Sequence, residues 1–303
     1  MQSALGTSPV EKNLRDLTNM MGRRATASPE AMRAVAWAVE AFRRAGVDEV
    51  HTEKFTIPAG RNKGHAKAMA SPVESENVVA EIRGREEPDE FVVLGARLNN
   101  SSDTALVIDA ARVIHSSGSV PRHSIRFVLF TAEEERMLGS WAYTRAHHAE
   151  LDRTSAAILF DGGIGAVTGY SLAGRQDAQV PVREALAPLA AMGVEDFTLD
   201  AKISADGFDF ILEGILTLDP NHKTANGLST SEIFDKADIA ALKRQAGIAA
   251  ITAYALADTS EPIAKRQSRA QIEQLLKETG LRQKMKIDGF WQAWESGQRG
   301  RKQ

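Results

Sequence analysis

The chain has 303 residues, 43% hydrophobic and 25% charged, which is enough apolar material for one large globular domain and unlike a disordered or collagen-like composition. No apolar run approaches the roughly 18–20 residues of a membrane-spanning helix, and the opening MQSALGTSPVEKNL lacks the apolar core of a secretory leader, so a soluble chain is expected. There is no cysteine, which leaves His, Asp and Glu as the candidate metal donors, and a net charge of −3 gives no global attraction to nucleic acid.

In chain order, Ser28-Pro29-Glu30 reads as a helix start, with Ser28 free to cap and Pro29 suited to the first turn, where its missing N–H is harmless. Met32, Val35, Trp37, Val39 and Phe42 follow, Gly46 suits a left-handed stop, and VDEVHTEKF is strand-like. Residues 61–75 are polar and irregular. Beyond them NVVAEI (77–82) and FVVLGARL (91–98) are strand runs joined by the turn-rich GREEPDE, which predicts a hairpin or a neighbouring strand pair. A helical spacing runs from Ala105 to Ile114, and IRFVLF (125–130) is apolar but for Arg126, as in a strand covered on both faces. Then come a helix within TAEEERMLGSWAYTRAH, a strand at Ala156–Phe160, a helix around Val180–Met192, a strand at Ile215–Leu218 and a long helix from Asp238 to Ala257.

This alternation predicts an α/β three-layer sandwich, a mainly parallel central sheet with helices on both faces, forming a single domain over 1–303. Residues 264–303 hold ten Lys/Arg against four Asp/Glu and read as a basic helical appendage packed on that domain by Phe290, Trp291 and Trp294. A solvated helix face accounts for this local charge better than a nucleic-acid surface does.

In open α/β sheets ligands bind beyond the carboxyl ends of the strands, so the residues after each strand are the candidates for chemistry. They are Arg97, Asn99 and Asn100; Glu133, Glu134 and Glu135; Asp161; and Asp219 with His222. Consecutive glutamates after a buried strand raise one another's pKa unless a cation or proton intervenes. A divalent metal would compensate them; alternatively they open the following helix, whose positive end suits acids. His147 and His148 are adjacent on a helix and cannot face one site together.

The segments VVLGARL…NNSSDTALVIDAARVI, IRFVLFTAEEERMLGSWAY, AILFDGGIGAVTGYSLAG and SEIFDKADIAALKRQAGIAAITAYALAD, with the N-terminal NLRDLTNMMGRRATASPEAMRAVAWAVEAFRRAGVDEV, resemble the co-catalytic zinc exopeptidases, the family of bacterial aminopeptidases and plasma glutamate carboxypeptidase. The resemblance implies that family's fold, without an inserted protease-associated domain, and proteins that are usually exported. It also implies a two-zinc site in which Glu133 is the general base and Glu134 and Asp161 are metal ligands. Other positions depart from the pattern. Arg97-Leu98-Asn99 stands where relatives carry His-x-Asp, with Asn99 at the bridging-aspartate position, and NGLSTSEIFDKAD places Gly227 or Leu228 where a ligand histidine belongs. Asp206 and Gly207 fall on the substrate wall, with Gly207 in place of a histidine.

Asn is neutral, Leu228 offers no donor, and Arg97 cannot lose its proton to become a ligand. The resemblance with these departures implies a catalytically impaired exopeptidase-like protein that binds a peptide or small molecule, with zinc absent or held singly and weakly. The alternative is an active metallo-exopeptidase in which Glu134, Asp161 and a rearranged His222 or Asp206 hold one zinc and Glu133 remains the base. A guanidinium at position 97, close to Glu133, Glu134 and Asp161, would offset the repulsion that metal otherwise removes.

Overall fold

Local chemistry sets the first long helix as the sequence predicts. The Ser28 hydroxyl accepts from the Ala31 N–H at 3.1 Å, Pro29 takes the first helical position, and Gly46 ends the helix at φ 89°. In a computed structural model that describes residues 7–20, 24–59, 71–134, 136–161, 165–203, 206–223 and 238–302, the elements are as follows. The N-terminal half contains α1 (Val10–Arg15), α2 (Pro29–Ala45), β1 (Glu49–Ile57), β2 (Val73–Ile82), β3 (Glu87–Arg97), α3 (Ser101–Ser117), β4 (His123–Phe130) and α4 (Leu138–Ala146). The remainder contains β5 (Thr154–Phe160), β6 (Ala166–Ser171), α5 (Gln179–Ala185), β7 (Asp196–Thr198), α6 (Gly207–Leu212), β8 (Thr217–Lys223), α7 (Ile239–Ala257), α8 (Arg269–Glu278), α9 (Leu281–Asp288) and α10 (Trp291–Glu295).

The eight strands form one mixed sheet in the order β1-β2-β4-β3-β5-β8-β6-β7, with a parallel centre running from β4 through β3 and β5 to β8. Side-chain alternation divides its centre between two cores. Val92, Leu94 and Ala96 of β3 join Ile125, Phe127 and Leu129 of β4 beneath α1, α2, α3 and α7. Phe91 and Val93 join Val128, Phe130, Ala157 and Leu159 on the opposite face, under Tyr143 of α4 and Phe210 of α6. The expected sandwich is therefore what forms. A further cluster joins α6 to the C-terminal helices through Phe208, Ile211, Leu212, Ile272, Leu276, Met285, Phe290 and Trp294, the last fully buried. Trp291 is half-buried beside them.

Three expectations need correction. Strands β2 and β3 form neither a hairpin nor a neighbouring pair, because β4 lies between them, antiparallel to β2 and parallel to β3. The amides of GREEPDE bond away from each other: Arg85 N–H donates to Pro121 O, and those of Glu86 and Glu87 to Arg122 O, which makes the segment a crossing and not a two-strand turn. The helix expected over 180–192 is α5 followed by a 3₁₀ turn at Ala187–Met192, since Pro188 supplies no amide and disfavours helical backbone before it. Strand β8 reaches Lys223 because it gains β6 as an antiparallel partner, so Asp219 and His222 lie within a strand and not after one.

One close approach ties α4 to the end of β4. The side chain of the buried Asn77 donates to Gly139 O at 2.8 Å and accepts from Thr131 N–H at 3.1 Å. A Cβ at Gly139 would lie 2.2 Å from Thr131 O and 2.8 Å from Asn77 Oδ1, with backbone on one side and a committed amide on the other. Gly139→Ala is therefore expected to cost about 2–3 kcal/mol of stability, read as a lower urea midpoint at unchanged slope.

Candidate functional site

Register brings the strand ends to one edge. Arg97 of β3 lies opposite Phe130 of β4, and Ala96 lies opposite Phe160 of β5, so the residues that follow these strands emerge together. The backbone after β3 is pinned from two sides. Thr104 Oγ1 donates to Arg97 O at 3.0 Å, and Asn100 caps α3 by accepting from Asp103 N–H at 3.2 Å. The buried Arg24 donates to Leu17 O, Leu98 O, Asn99 O and Ser101 Oγ. Asn99 itself is half-buried.

After β4 the chain does not enter a helix at once. Ala132, Arg136 and Met137 all adopt left-handed backbone, at φ 55°, 68° and 59°. Met137 N–H donates to Glu133 O at 2.9 Å and Leu138 N–H to Ala132 O at 3.1 Å, closing a tight loop before α4 opens at Leu138. The reading of these glutamates as the opening of the helix is thus corrected: Glu133 and Glu134 belong to this loop, with Glu133 half-buried and Glu134 exposed. Glu135 lies outside the described residues.

The Arg97 side chain spans the cleft. Its Nη1 is 3.2 Å from Glu133 Oε2 and its Nε is paired with Asp161 Oδ1, and the three side chains are 22%, 19% and 14% exposed. Burial works against the guanidinium's charge, but Asp161, then Glu133, Asp206 and Asp103, outweigh it and hold its pKa above the ordinary value. Asp161 is pushed up to about 6 by burial, to which Glu133 adds while Arg97 and Lys202 oppose. Asp206, 2% exposed at the start of α6, is raised well above its ordinary value by burial and by the charge of Asp161, and neither of its oxygens has a hydrogen-bond partner among the described residues. Burial and Asp161 also lift Asp219 to about 6 against the pull of Lys202.

The structure thus brings Arg97, Glu133, Asp161, Asp206 and Asp219 into one electrostatic cluster. Sequence reasoning missed Lys202 and Arg24, which serve this edge from loops with no motif of their own. His222 does something else: its Nδ1 meets Gly165 O at 3.2 Å, and burial lowers its pKa. At Gly207 a Cβ would sit 2.9 Å from Thr217 Cγ2 and 3.4 Å from Asp219 Oδ1, so the space beside this glycine is filled by β8. Gly227 and Leu228 lie outside the described residues. His147 and His148 diverge, the first to Glu53 and Glu150 and the second to Glu213. Among the described residues no group of three or more His, Asp or Glu is placed to hold a metal ion. The arrangement is a carboxylate cluster partly neutralised from within by Arg97.

Residues 77–250 match the family model for peptidase family M28. The chain is similar to rat carboxypeptidase Q, at 26% identity over 139 residues, 43% of this chain and 29% of that protein. Human carboxypeptidase Q matches at 25% over 131 residues, 40% and 28% of the two chains, so this chain covers under a third of the curated relatives' length. Among solved structures, a peptidase M28 precursor from Shewanella amazonensis superposes with a TM-score of 0.77 at 17% identity, over 88% of this chain and 97% of that one. BSAP, a zinc aminopeptidase from Bacillus subtilis, superposes at 0.66 with 14% identity, over 86% and 98%. At these identities the structural likeness is one of fold.

Removing the guanidinium leaves Asp161, Glu133 and Asp206 to repel one another. Native Asp161 already holds its proton more tightly than its ordinary value of 3.8 would give, at about 6. Its contribution to stability is therefore full below pH 3.8 and falls as pH rises through 6. Without Arg97 that tendency strengthens. Arg97→Met is expected to lower stability by about 2–3 kcal/mol at pH 7.5, and by much less near pH 4, where Asp161 and Asp206 are protonated. Urea unfolding at the two pH values checks this; a deficit independent of pH contradicts it.

Proposed function

Because the chain belongs to peptidase family M28, we propose that it is a zinc exopeptidase-like protein whose hydrolytic centre has given way to the Arg97 ion pairs, leaving a cleft that binds a peptide or small molecule without cleaving it. The observation that carries this reading is the guanidinium lying between Glu133 and Asp161. A general base must have its carboxylate free to take a proton from the attacking water. Glu133 instead directs Oε2 at a group that is always charged and has no lone pair to share.

The donor set points the same way. Of the two carboxylates at ligand positions, Asp161 is paired with Arg97 and Glu134 is exposed. Asn99 offers at best a neutral amide where a bridging carboxylate would be needed. Two divalent ions placed here would face a fixed positive charge, so the described residues do not fit a dinuclear centre. Without such a centre, water keeps a pKa too high for attack at neutral pH.

A rearranged single-zinc hydrolase makes the opposite prediction, so metal content and turnover decide between the two. Purified protein dialysed against zinc and then buffer is expected to retain zinc well below one ion per chain. It is also expected to release no chromophore from aminoacyl-p-nitroanilides and to leave unblocked dipeptides intact. Stoichiometric zinc with chelator-sensitive turnover overturns the reading.

A further inference from the structure

The C-terminal tail reaches back to the loop that carries Glu133. Arg299 is 4% exposed and grips Asp209 of α6 with both arms of its fork, Nε to Oδ1 at 2.6 Å and Nη2 to Oδ2 at 2.7 Å. The same guanidinium donates to Arg136 O at 3.1 Å and to Met137 O at 3.4 Å, the carbonyls of the two consecutive left-handed residues that turn the loop into α4. Ser140 completes the junction, its Oγ 2.7 Å from Asp209 Oδ2 and 3.1 Å from Met137 O. Phe290, Trp141 and Phe208 surround the guanidinium at 5.0, 5.4 and 5.9 Å from their ring centres, which keeps water from these bonds.

The tail is itself held. Arg269 donates to Trp294 O at 2.7 Å and to Arg301 O at 2.6 Å, and Arg301 N–H donates to Leu212 O at 3.0 Å. Arg299 therefore enters the domain from an anchored segment and joins the two elements that flank the carboxylate cluster: the loop bearing Glu133, and α6, which starts beside Asp206. Non-glycine residues in left-handed backbone persist only where their surroundings over-determine them. The Arg136–Met137 turn has such a surrounding in Arg299.

We propose that Arg299 is a positioning residue of the cleft, holding the left-handed turn at Arg136 and Met137 so that Glu133 meets Arg97. This inference goes beyond the reading of function above and does not depend on whether metal binds.

Hydrogen exchange read by mass spectrometry on the full chain tests it, with Arg299→Met and Arg299→Lys beside the wild type. Peptides covering 131–141 and 206–213 are expected to exchange about tenfold faster or more in Arg299→Met. Peptides from β3, β4 and β5 are expected to keep wild-type protection. Arg299→Lys retains the charge opposite Asp209 without the fork, so it folds even if Arg299→Met does not, and it shows the same localised pattern at smaller amplitude. The second readout is coupling. The drop in urea midpoint caused by Arg97→Met is expected to shrink when Arg299 is also replaced, because Glu133 is no longer pressed toward position 97. Unchanged exchange at 131–141, a uniform rise across the whole sheet, or strictly additive midpoints each overturn the proposal.

Discussion

Like charges brought to the end of a buried sheet must be compensated, and much of this molecule's architecture answers that constraint. Register delivers Glu133 and Asp161 to one edge, and the packing of α6 and β8 adds Asp206 and Asp219 behind them. Among the described residues Arg97 pairs with acids of the cluster and the charge of the exposed Lys202 adds to its effect, while burial still holds Asp161 and Asp219 toward their protonated forms. A guanidinium differs from a metal in how it solves the problem. It is covalently attached, cannot be chelated away and cannot lose its proton at any accessible pH. It also has no vacant coordination position at which a water could be activated.

Arginine does similar work elsewhere around this edge. Arg24 fastens the turn after β3 through backbone carbonyls, and Arg299 fastens the turn after β4 in the same manner. The planar fork suits the task because several N–H donors leave one group in fixed directions and satisfy carbonyls that no strand or helix partner reaches. The loops at the cleft are thus held by side chains arriving from the N-terminal and C-terminal extremities of the described fold.

How much of this was legible in the sequence depends on how local each feature is. The helix from Pro29 to Ala45 could be read to the residue because Ser28, Pro29 and Gly46 act within a turn of where they stand. The strand runs of β3, β4 and β5 were visible as predominantly apolar segments, and Glu133 and Asp161 stood out as acids shortly after them. Strand order was not visible: GREEPDE has the composition of a hairpin turn, and only the amide partners at Pro121 and Arg122 make it a crossing. Asp219 was misplaced for a related reason, since the length of β8 is set by β6, a partner 46 or more residues earlier in the chain. Lys202, Arg24 and Arg299 left no signal because their contacts join segments far apart in sequence, 75 residues for Arg24 to Asn99 and 163 for Arg299 to Arg136.

The same distances explain why the cleft behaves as a unit rather than as a set of substituted positions. A metal centre organises its surroundings by drawing ligands inward, and its loops can be loose until the ion arrives. Here the cation is part of β3, and the left-handed backbone at Ala132, Arg136 and Met137 has to be held by the surrounding chain. Support drawn from Asn77 on one side and from Arg299 on the other meets that requirement.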